Sequence, residues 1–343
     1  MKQLFTLNKY FIKYKKYFLG GILFVLLSNL FSVMAPQITG HMVNKVQQYL
    51  NPNITSKPKN YNFFVAQIVK FIDGFGNTFI VTIAWCSIVI IILALLRGLF
   101  MYFMRQTLIV MSRHIEYDQK NDIYKKYQAL NQTFFKQHAT GDLMNRISED
   151  VGRVRMYTGP GVMYLFNLSS LIIFAIYFMW QQNPLLTLIV LSPLPILAFT
   201  IYKVNGIINK RSEAMQQQLS DLTSQAQEAY SGIRIIKTFG QENHVYNKYV
   251  GASNVYKKTV LSLAKVEALY FPIIGLMVGL STLMAIYFGG RQVIAGSNNM
   301  QVGTILEFVM YVTILTFPVS AIGWVASIIQ RSSASQKRIN EFL

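Results

Sequence analysis

The chain has 343 residues, of which 52% are hydrophobic, 14% aromatic and only 13% charged, and its mean hydropathy is +0.34. Soluble domains carry about 25% charged residues, so this composition excludes one of this length and points to a polytopic membrane protein. The net charge of +18 excludes little by itself, but the basic residues cluster beside apolar runs, where they set orientation and meet anionic lipid headgroups rather than nucleic acid.

Residues 1–16 read as an interfacial elbow helix. Leu4, Leu7, Phe11 and Tyr14 share one helical face and Lys2, Lys9, Lys13 and Lys16 the other, the pattern of a helix lying at a membrane surface. The stretch lacks the compact apolar core and small-residue cleavage site of a secretory signal. A span needs about 20 apolar residues, and the segments that qualify are roughly 17–43, 79–104, 157–180, 185–205, 267–289 and 303–328.

Between the first two spans lies a polar stretch, 47–62, with Pro52, Pro58 and Asn53-Ile54-Thr55, a tripeptide that matches a glycosylation acceptor. Phe63 to Phe71 follows as an apolar patch suited to the outer membrane surface. The third and fourth spans are joined only by Gln181, Gln182, Asn183 and Pro184, a tight uncharged hairpin. By contrast 105–155 and 203–265 are rich in Lys and Arg, which places both of them and both termini in the cytoplasm.

Those two excursions are helix-prone. Glu116 and Lys120, Asp122 and Lys126, and Glu149 and Arg153 are acid-first pairs at i,i+4, the favourable order. No proline occurs between Lys59 and Gly159 or between Pro195 and Pro272. A helix over 79–130 would reach about 75 Å against about 30 Å of hydrocarbon, so more than half stands outside the membrane. Each extended pair must turn at a tip, placed near 130–140 and 211–221. At the first, Phe134 and Phe135 adjoin His138 and Gly141; two aromatics so far from the bilayer either dock a partner or pack between the helices that meet there.

The motifs Phe134-Phe135, Gly141-Asp142-Leu143, Arg146 and Asp150, then Ser231-Gly232-Ile233, Ile236-Lys237, Phe239 and Glu242 resemble the transmembrane domain of ABC exporters of the six-helix half-transporter type. The closing 330–343 is similar to that family's helix leading into a nucleotide-binding domain. The resemblance covers the whole chain in order. It implies an all-α membrane protein of six transmembrane helices with long cytoplasmic extensions, forming a domain-swapped dimer in the bacterial inner membrane: elbow 1–16, transmembrane domain 17–330, and the start of a linker at 331–343. It also implies that the tips are coupling helices, with Phe134, Phe135, His138, Arg211, Ser212 and Gln216 facing a motor domain. The partners implied are that motor, which binds ATP and Mg, a second half-transporter, lipid, and a hydrophobic or amphiphilic substrate.

No glycine is followed by lysine, so the phosphate-binding loop G-x-x-x-x-G-K-[ST] is absent. This chain is therefore expected to have no ATPase activity of its own, its motor lying in a longer polypeptide or, less in keeping with the pattern, on a separate subunit.

For substrate, Arg97 sits inside the second span, where a charge normally faces a cavity or a partner. It resembles a basic residue that contacts phosphate in the family's lipid A flippases, whereas Phe166-Asn167 and Phe317 stand where those carry further basic residues. Arg97 otherwise snorkels or pairs with a group such as Glu307. Tyr102, Met284, Met310 and Trp324, with Met104, Met163, Tyr164, Tyr270, Met277 and Tyr311, are candidates for an adaptable apolar cavity or for ordinary packing. His41, His114, His138 and His244 lack metal-site spacing, and the lone Cys86 permits no intrachain disulfide. Pro36 and Pro318 act as hinges or static bends, and Gly275 and Gly279 permit close helix contact within or between subunits. The expected function is the permease half of an ATP-driven exporter or flippase. The rival, an ion-driven carrier or a scaffold without a transport cycle, is disfavoured because the spans hold few titratable residues beyond Arg97, Glu267 and Glu307.

Overall fold

A computed structural model describes residues 2–50, 61–75, 79–296 and 300–341. Pro52, Pro58 and Asn53-Ile54-Thr55 lie outside them. Every regular element among the described residues is helical, and the helices long and apolar enough to cross a membrane are Lys15–Leu50, Phe79–Ala129, Thr140–Gln182, Pro184–Ser231, Glu242–Ile294 and Val302–Asn340. Each expected span falls inside one of them, so the six-helix architecture read from the sequence is the observed one.

The chain forms two compact units, one of Met1–Ser192 with Ser281–Leu343 and one of Pro193–Leu280. In the first, a 3-10 turn, Lys2–Leu7, leads into α1 (Asn8–Lys13) and α2 (Lys15–Leu50). α3 (Phe63–Phe75) precedes α4 (Phe79–Ala129). At 51 residues α4 extends about 76 Å, unbroken because no proline interrupts it.

α2 is the hub of this unit. Against α4 it stacks Phe31 on Phe100 at 5.6 Å and Phe24 near Phe103 at 5.4 Å between centroids. Against α8 (Val162–Gln182), Asn29 Nδ2 donates to Ser170 Oγ at 2.7 Å and to the Asn167 carbonyl at 2.9 Å. Where lipid offers no partner, such interhelical polar bonds fix orientation. Leu108, Met111 and Ile115 of α4 pack with Val25, Leu143, Val151 and Val154 into the main core.

After α4 come the short helices α5 (Gln132–Gln137), α6 (Thr140–Asn145) and α7 (Val151–Met156), with π-helical turns at Arg146–Asp150 and Tyr157–Gly161. Pro160 lies inside the second turn. A proline removes an amide donor and clashes with the preceding turn, which a wider helix accommodates. The uncharged hairpin forms as read: the Asn183 side chain accepts from Leu186 N–H at 3.0 Å and Pro184 starts α9 (Pro184–Leu191). The fourth span is interrupted at Ser192, before Pro193, because that proline has no N–H to continue the ladder.

The second unit is built from α10 (Pro193–Ser231), α11 (Ile233–Thr238) and the first part of α12 (Glu242–Ile294). The Arg211 guanidinium donates to the Ser262 carbonyl, tying α10 to α12. Among the described residues, no atom outside the local turn of its own helix stands within 4 Å of a Cβ placed on Gly275 or Gly279. α13 (Val302–Asn340) closes the first unit.

Candidate functional site

At the first tip the Asn131 side chain caps α5 by accepting from Phe134 N–H at 3.1 Å. The Phe134 ring stacks on His138 at 4.0 Å between centroids and leans on the main core. Phe135 stands perpendicular to Phe134 and is 43% exposed. The two aromatics therefore do different things. Of the two, Phe134 packs inward and Phe135 is the exposed one, because helical geometry turns neighbours about 100° apart.

The second tip is not at 211–221. Those residues lie inside the unbroken helix α10, since they contain neither Gly nor Pro and are good helix formers. The chain reverses through α11 instead, flanked by Gly232 and by Gly240, whose φ of 60 is a left-handed value that glycine adopts without strain. Arg211 is a strut between α10 and α12, Ser212 is half-buried and Gln216 exposed along α10. Tyr230, Ile235 and Phe239 are exposed around the true turn, Phe239 at 73%. Tyr230 and Ile235 line a cleft of about 560 Å³ together with Gln225, Ile233, Ile236, Val245 and Tyr249.

Behind the first tip, the end of α13 is locked to the returning helices. Arg338 reaches Asp142 at 3.3 Å and Asp150 at 3.2 Å, Arg146 donates to the Arg338 carbonyl at 3.0 Å, and Ser332 donates to the Arg153 carbonyl at 2.6 Å. Gln119 Nε2 donates to Gln336 Oε1 at 3.1 Å. The elbow joins the same assembly through Lys9 and Tyr10 on Asp122, at 3.0 and 2.7 Å, and Lys13 and Tyr14 on Asp118, at 2.7 and 3.0 Å. Its face bearing Leu4, Leu7 and Tyr10 is buried against protein, so the apolar side read as membrane-facing covers the main core, while Phe5 and Ile12 are exposed.

Asp122 thus pairs with the elbow instead of with Lys126, whereas Glu116–Lys120 forms at 2.9 Å and Glu149–Arg153 approaches at 3.9 Å. Burial alone would raise the Asp122 carboxyl; the hydrogen bonds from Tyr10 and Lys9 and the charges of Lys9 and Lys125 outweigh it and hold the group below the ordinary range. Burial, and then the bond to Asp122, push the Tyr10 hydroxyl up.

The five cavity candidates sit in different local settings. Arg97 is exposed, and the contact at its position is its carbonyl accepting from Ser28 Oγ at 3.3 Å. The pairing with Glu307 does not occur: Glu307 lies over Gly40, twelve residues further along α2 than Ser28, about 18 Å away along the axis. Tyr102 is exposed and accepts from Gln106 at 3.2 Å. Met310 and Met284 are half-buried, the latter 4.0 Å from the Ser192 hydroxyl. Trp324 packs edge-on to Tyr164 at 5.0 Å and lines a groove of about 380 Å³ with Arg153, Met156, Ser327 and Arg331.

With this geometry in place, comparison with known proteins is decisive. The profile of the ABC transporter transmembrane region matches residues 18–319. The chain belongs to this family. The multidrug resistance-like ATP-binding protein MdlA of Buchnera aphidicola subsp. Schizaphis graminum is 29% identical over 98% of the chain and 53% of its own length. The protein of the same name in Escherichia coli K12 is 26% identical over the whole chain and 53% of its own length. An ATP-dependent lipid A-core flippase of Syntrophus aciditrophicus is 26% identical over 74% of the chain and 42% of its own length. The chain spans about half the length of these relatives.

In this ABC transporter membrane region, the residues around the α11 turn were singled out by sequence as a motif but not as the place where the chain reverses, and Arg338 was not singled out. Gly232 and Gly240 bracketing seven residues were the available signal for the turn. Nothing local marked Arg338, because its partners lie almost 200 positions away.

Proposed function

We propose that this chain is the permease half of an ATP-driven exporter, moving a hydrophobic or amphiphilic compound by alternating access while paired with a second half-transporter. ATP and Mg would bind on a nucleotide-binding domain outside this sequence, which lacks the phosphate loop. The observation that carries the reading is the combination of the family match with α4, whose 51 residues greatly exceed a bilayer and are followed by the short capped helix α5. A long unbroken helix that turns into a short helix at its far end suits a lever moved by a soluble domain.

In this reading Phe135 on α5 and Phe239 with Ile235 at the α11 turn are the apolar contacts to the motor, and both tips and both termini lie in the cytoplasm, following the Lys and Arg distribution. The names of the relatives, a multidrug resistance-like protein and a lipid A-core flippase, support an amphiphilic substrate class. Unburied apolar length also supports a second subunit: only 11% of the apolar window of α12 and 17% of that of α4 are buried.

The test is reconstitution. Joined to a nucleotide-binding domain in proteoliposomes, the chain is expected to show ATP turnover stimulated by amphiphiles and ATP-dependent movement of a fluorescent amphiphile, with neither in the chain alone. ATP turnover by the chain alone, or unchanged movement without ATP, would overturn the reading.

A further inference from the structure

α13 runs antiparallel to the segment that leads from α7 into α8, and three contacts set the register. Ser332 Oγ donates to the Arg153 carbonyl at 2.6 Å, a Cβ on Gly161 would stand 3.2 Å from Ile328, and Trp324 meets Tyr164 edge-on at 5.0 Å. The groove of about 380 Å³ lies along this seam. Arg153 and Met156 line it from α7 at i,i+3, and Trp324, Ser327 and Arg331 from α13 at helical spacing. Half-buried Ile328 and buried Ser332 complete it.

The groove changes character along its length. Trp324 falls inside the apolar stretch 303–328, and Arg331 lies seven residues further on, about 10 Å along the axis. Arg153 likewise precedes the apolar stretch that opens at 157. One end is therefore an aromatic and thioether wall at the depth of hydrocarbon, and the other carries two guanidiniums at the depth of lipid headgroups.

Charge narrows the ligand further. Arg331 bonds to Ser327 Oγ at 3.1 Å and meets no carboxylate among the described residues. Arg153 has Glu149 at 3.9 Å, with both side chains more than half exposed, an arrangement that water largely screens. By contrast Arg155 and Arg338 nearby are engaged by Glu116 at 3.3 Å and Asp150 at 3.2 Å. Two guanidiniums thus face the groove against one loosely held carboxylate, and a single negative charge balances them. A guanidinium fork matches phosphate oxygens, while Trp324 and Met156 offer surface to an alkyl chain. A phosphate carrying one charge beside alkyl chains answers both ends. The volume is near the low end of ligand pockets, about 300–1,000 Å³, so the groove takes a headgroup and the first carbons of its chains while the rest stays in the bilayer.

We propose that the groove between α7 and α13 holds the headgroup of an anionic phospholipid, its phosphate between Arg153 and Arg331 and its chains beside Met156 and Trp324. The lipid is a bound constituent that braces α13 against α7 and is not cargo. The site requires neither a motor nor export, so it stands apart from the proposed function.

The experiment is thermal melting of the intact transporter in a neutral detergent, titrated at constant ionic strength with phosphatidylglycerol, phosphatidylcholine or inorganic phosphate. It is run on wild type, Arg331→Gln, Arg153→Gln and Lys258→Gln, the last removing the same charge from an exposed position of α12. The Ser332 bond goes to the backbone of Arg153 and survives these substitutions. The expected result is a saturable rise in melting temperature with phosphatidylglycerol, at concentrations about ten-fold below those phosphatidylcholine needs, and no rise with inorganic phosphate. The half-saturating concentration of phosphatidylglycerol increases about ten-fold in each arginine variant and is unchanged in Lys258→Gln. Equal titrations by the two lipids, an equal rise with inorganic phosphate, or arginine variants that titrate like wild type or like Lys258→Gln overturn the proposal. So do arginine variants that lower the mass of the transporter in detergent with the lipid titration unaltered, a result that assigns the two arginines to a contact between subunits.

Discussion

Arg338 and Asp150 form an ion pair at 3.2 Å across 188 residues of sequence, with the Asp150 side chain 1% exposed and the arginine 39% exposed. Asp150 sits at the end of the π-helical turn Arg146–Asp150 and Arg338 in the last turns of α13, so the pair joins the chain's last helix to the segment that follows the first tip. Arg338→Ala leaves a buried carboxylate without its cation, a change that costs about 3–5 kcal/mol when both partners are buried. Water already shares the exposed arginine, which lowers the expected loss to about 1–3 kcal/mol. Thermal melting of the purified chain measures it, and Asp150→Asn should recover part of the loss in the double variant. A melting temperature unchanged by Arg338→Ala would show that the pair contributes nothing.

The two phenylalanines of α5 should separate stability from coupling. Phe134 stacks on His138 and leans on the core, so Phe134→Ala is expected to destabilise by about 1–3 kcal/mol, less than the roughly 3–5 of a fully buried Phe→Ala. Phe135 is 43% exposed and its truncation should change stability by less than about 0.5 kcal/mol, while lowering transport per ATP in proteoliposomes of the full transporter. Equal effects of the two variants on both measurements would mean that the tip acts as one packing unit.

The spans, the tight hairpin and the unbroken α4 were legible in the sequence because each rests on local chemistry: apolar length, Asn183-Pro184 as cap and first turn, and the absence of proline. The second tip was misplaced because polarity was taken as the sign of a turn, although 211–221 favours helix and the backbone demand for a positive φ falls on Gly240. The elbow's apolar face was visible, but whether lipid or protein covers it depends on Asp118 and Asp122, more than 100 residues away. For the same reason the cavity candidates were identified by residue type alone.

The elbow clamp should make stability depend on acid. The Asp122 carboxyl sits below its ordinary range because the bonds and charges of Tyr10 and Lys9 outweigh its burial. A carboxyl depressed in the folded state contributes stability that is fully present above its unfolded value, about 3.9, and is lost as pH falls through the folded value. Melting temperatures of wild type and Asp122→Asn should therefore differ at pH 6 and converge as the pH falls below the ordinary carboxylate range and through the lowered folded value. Parallel curves across that range would show that the clamp does not titrate.

Arg97 offers the test of substrate charge. Its guanidinium is exposed, Glu307 is about 18 Å away along α2, and no ion pair to it forms among the described residues. Arg97→Ala should therefore alter stability by no more than about 0.5 kcal/mol. If the side chain holds an anionic headgroup, the variant loses a charge-assisted contact with anionic amphiphiles alone. A panel of anionic, neutral and cationic amphiphiles, assayed for stimulation of ATP turnover in the full transporter and in one lipid, should then show loss confined to the anionic members. Uniform loss across the panel, with a lowered melting temperature, would identify Arg97 as a structural residue whose long stem packs along the span, and would remove the reason for favouring an anionic substrate.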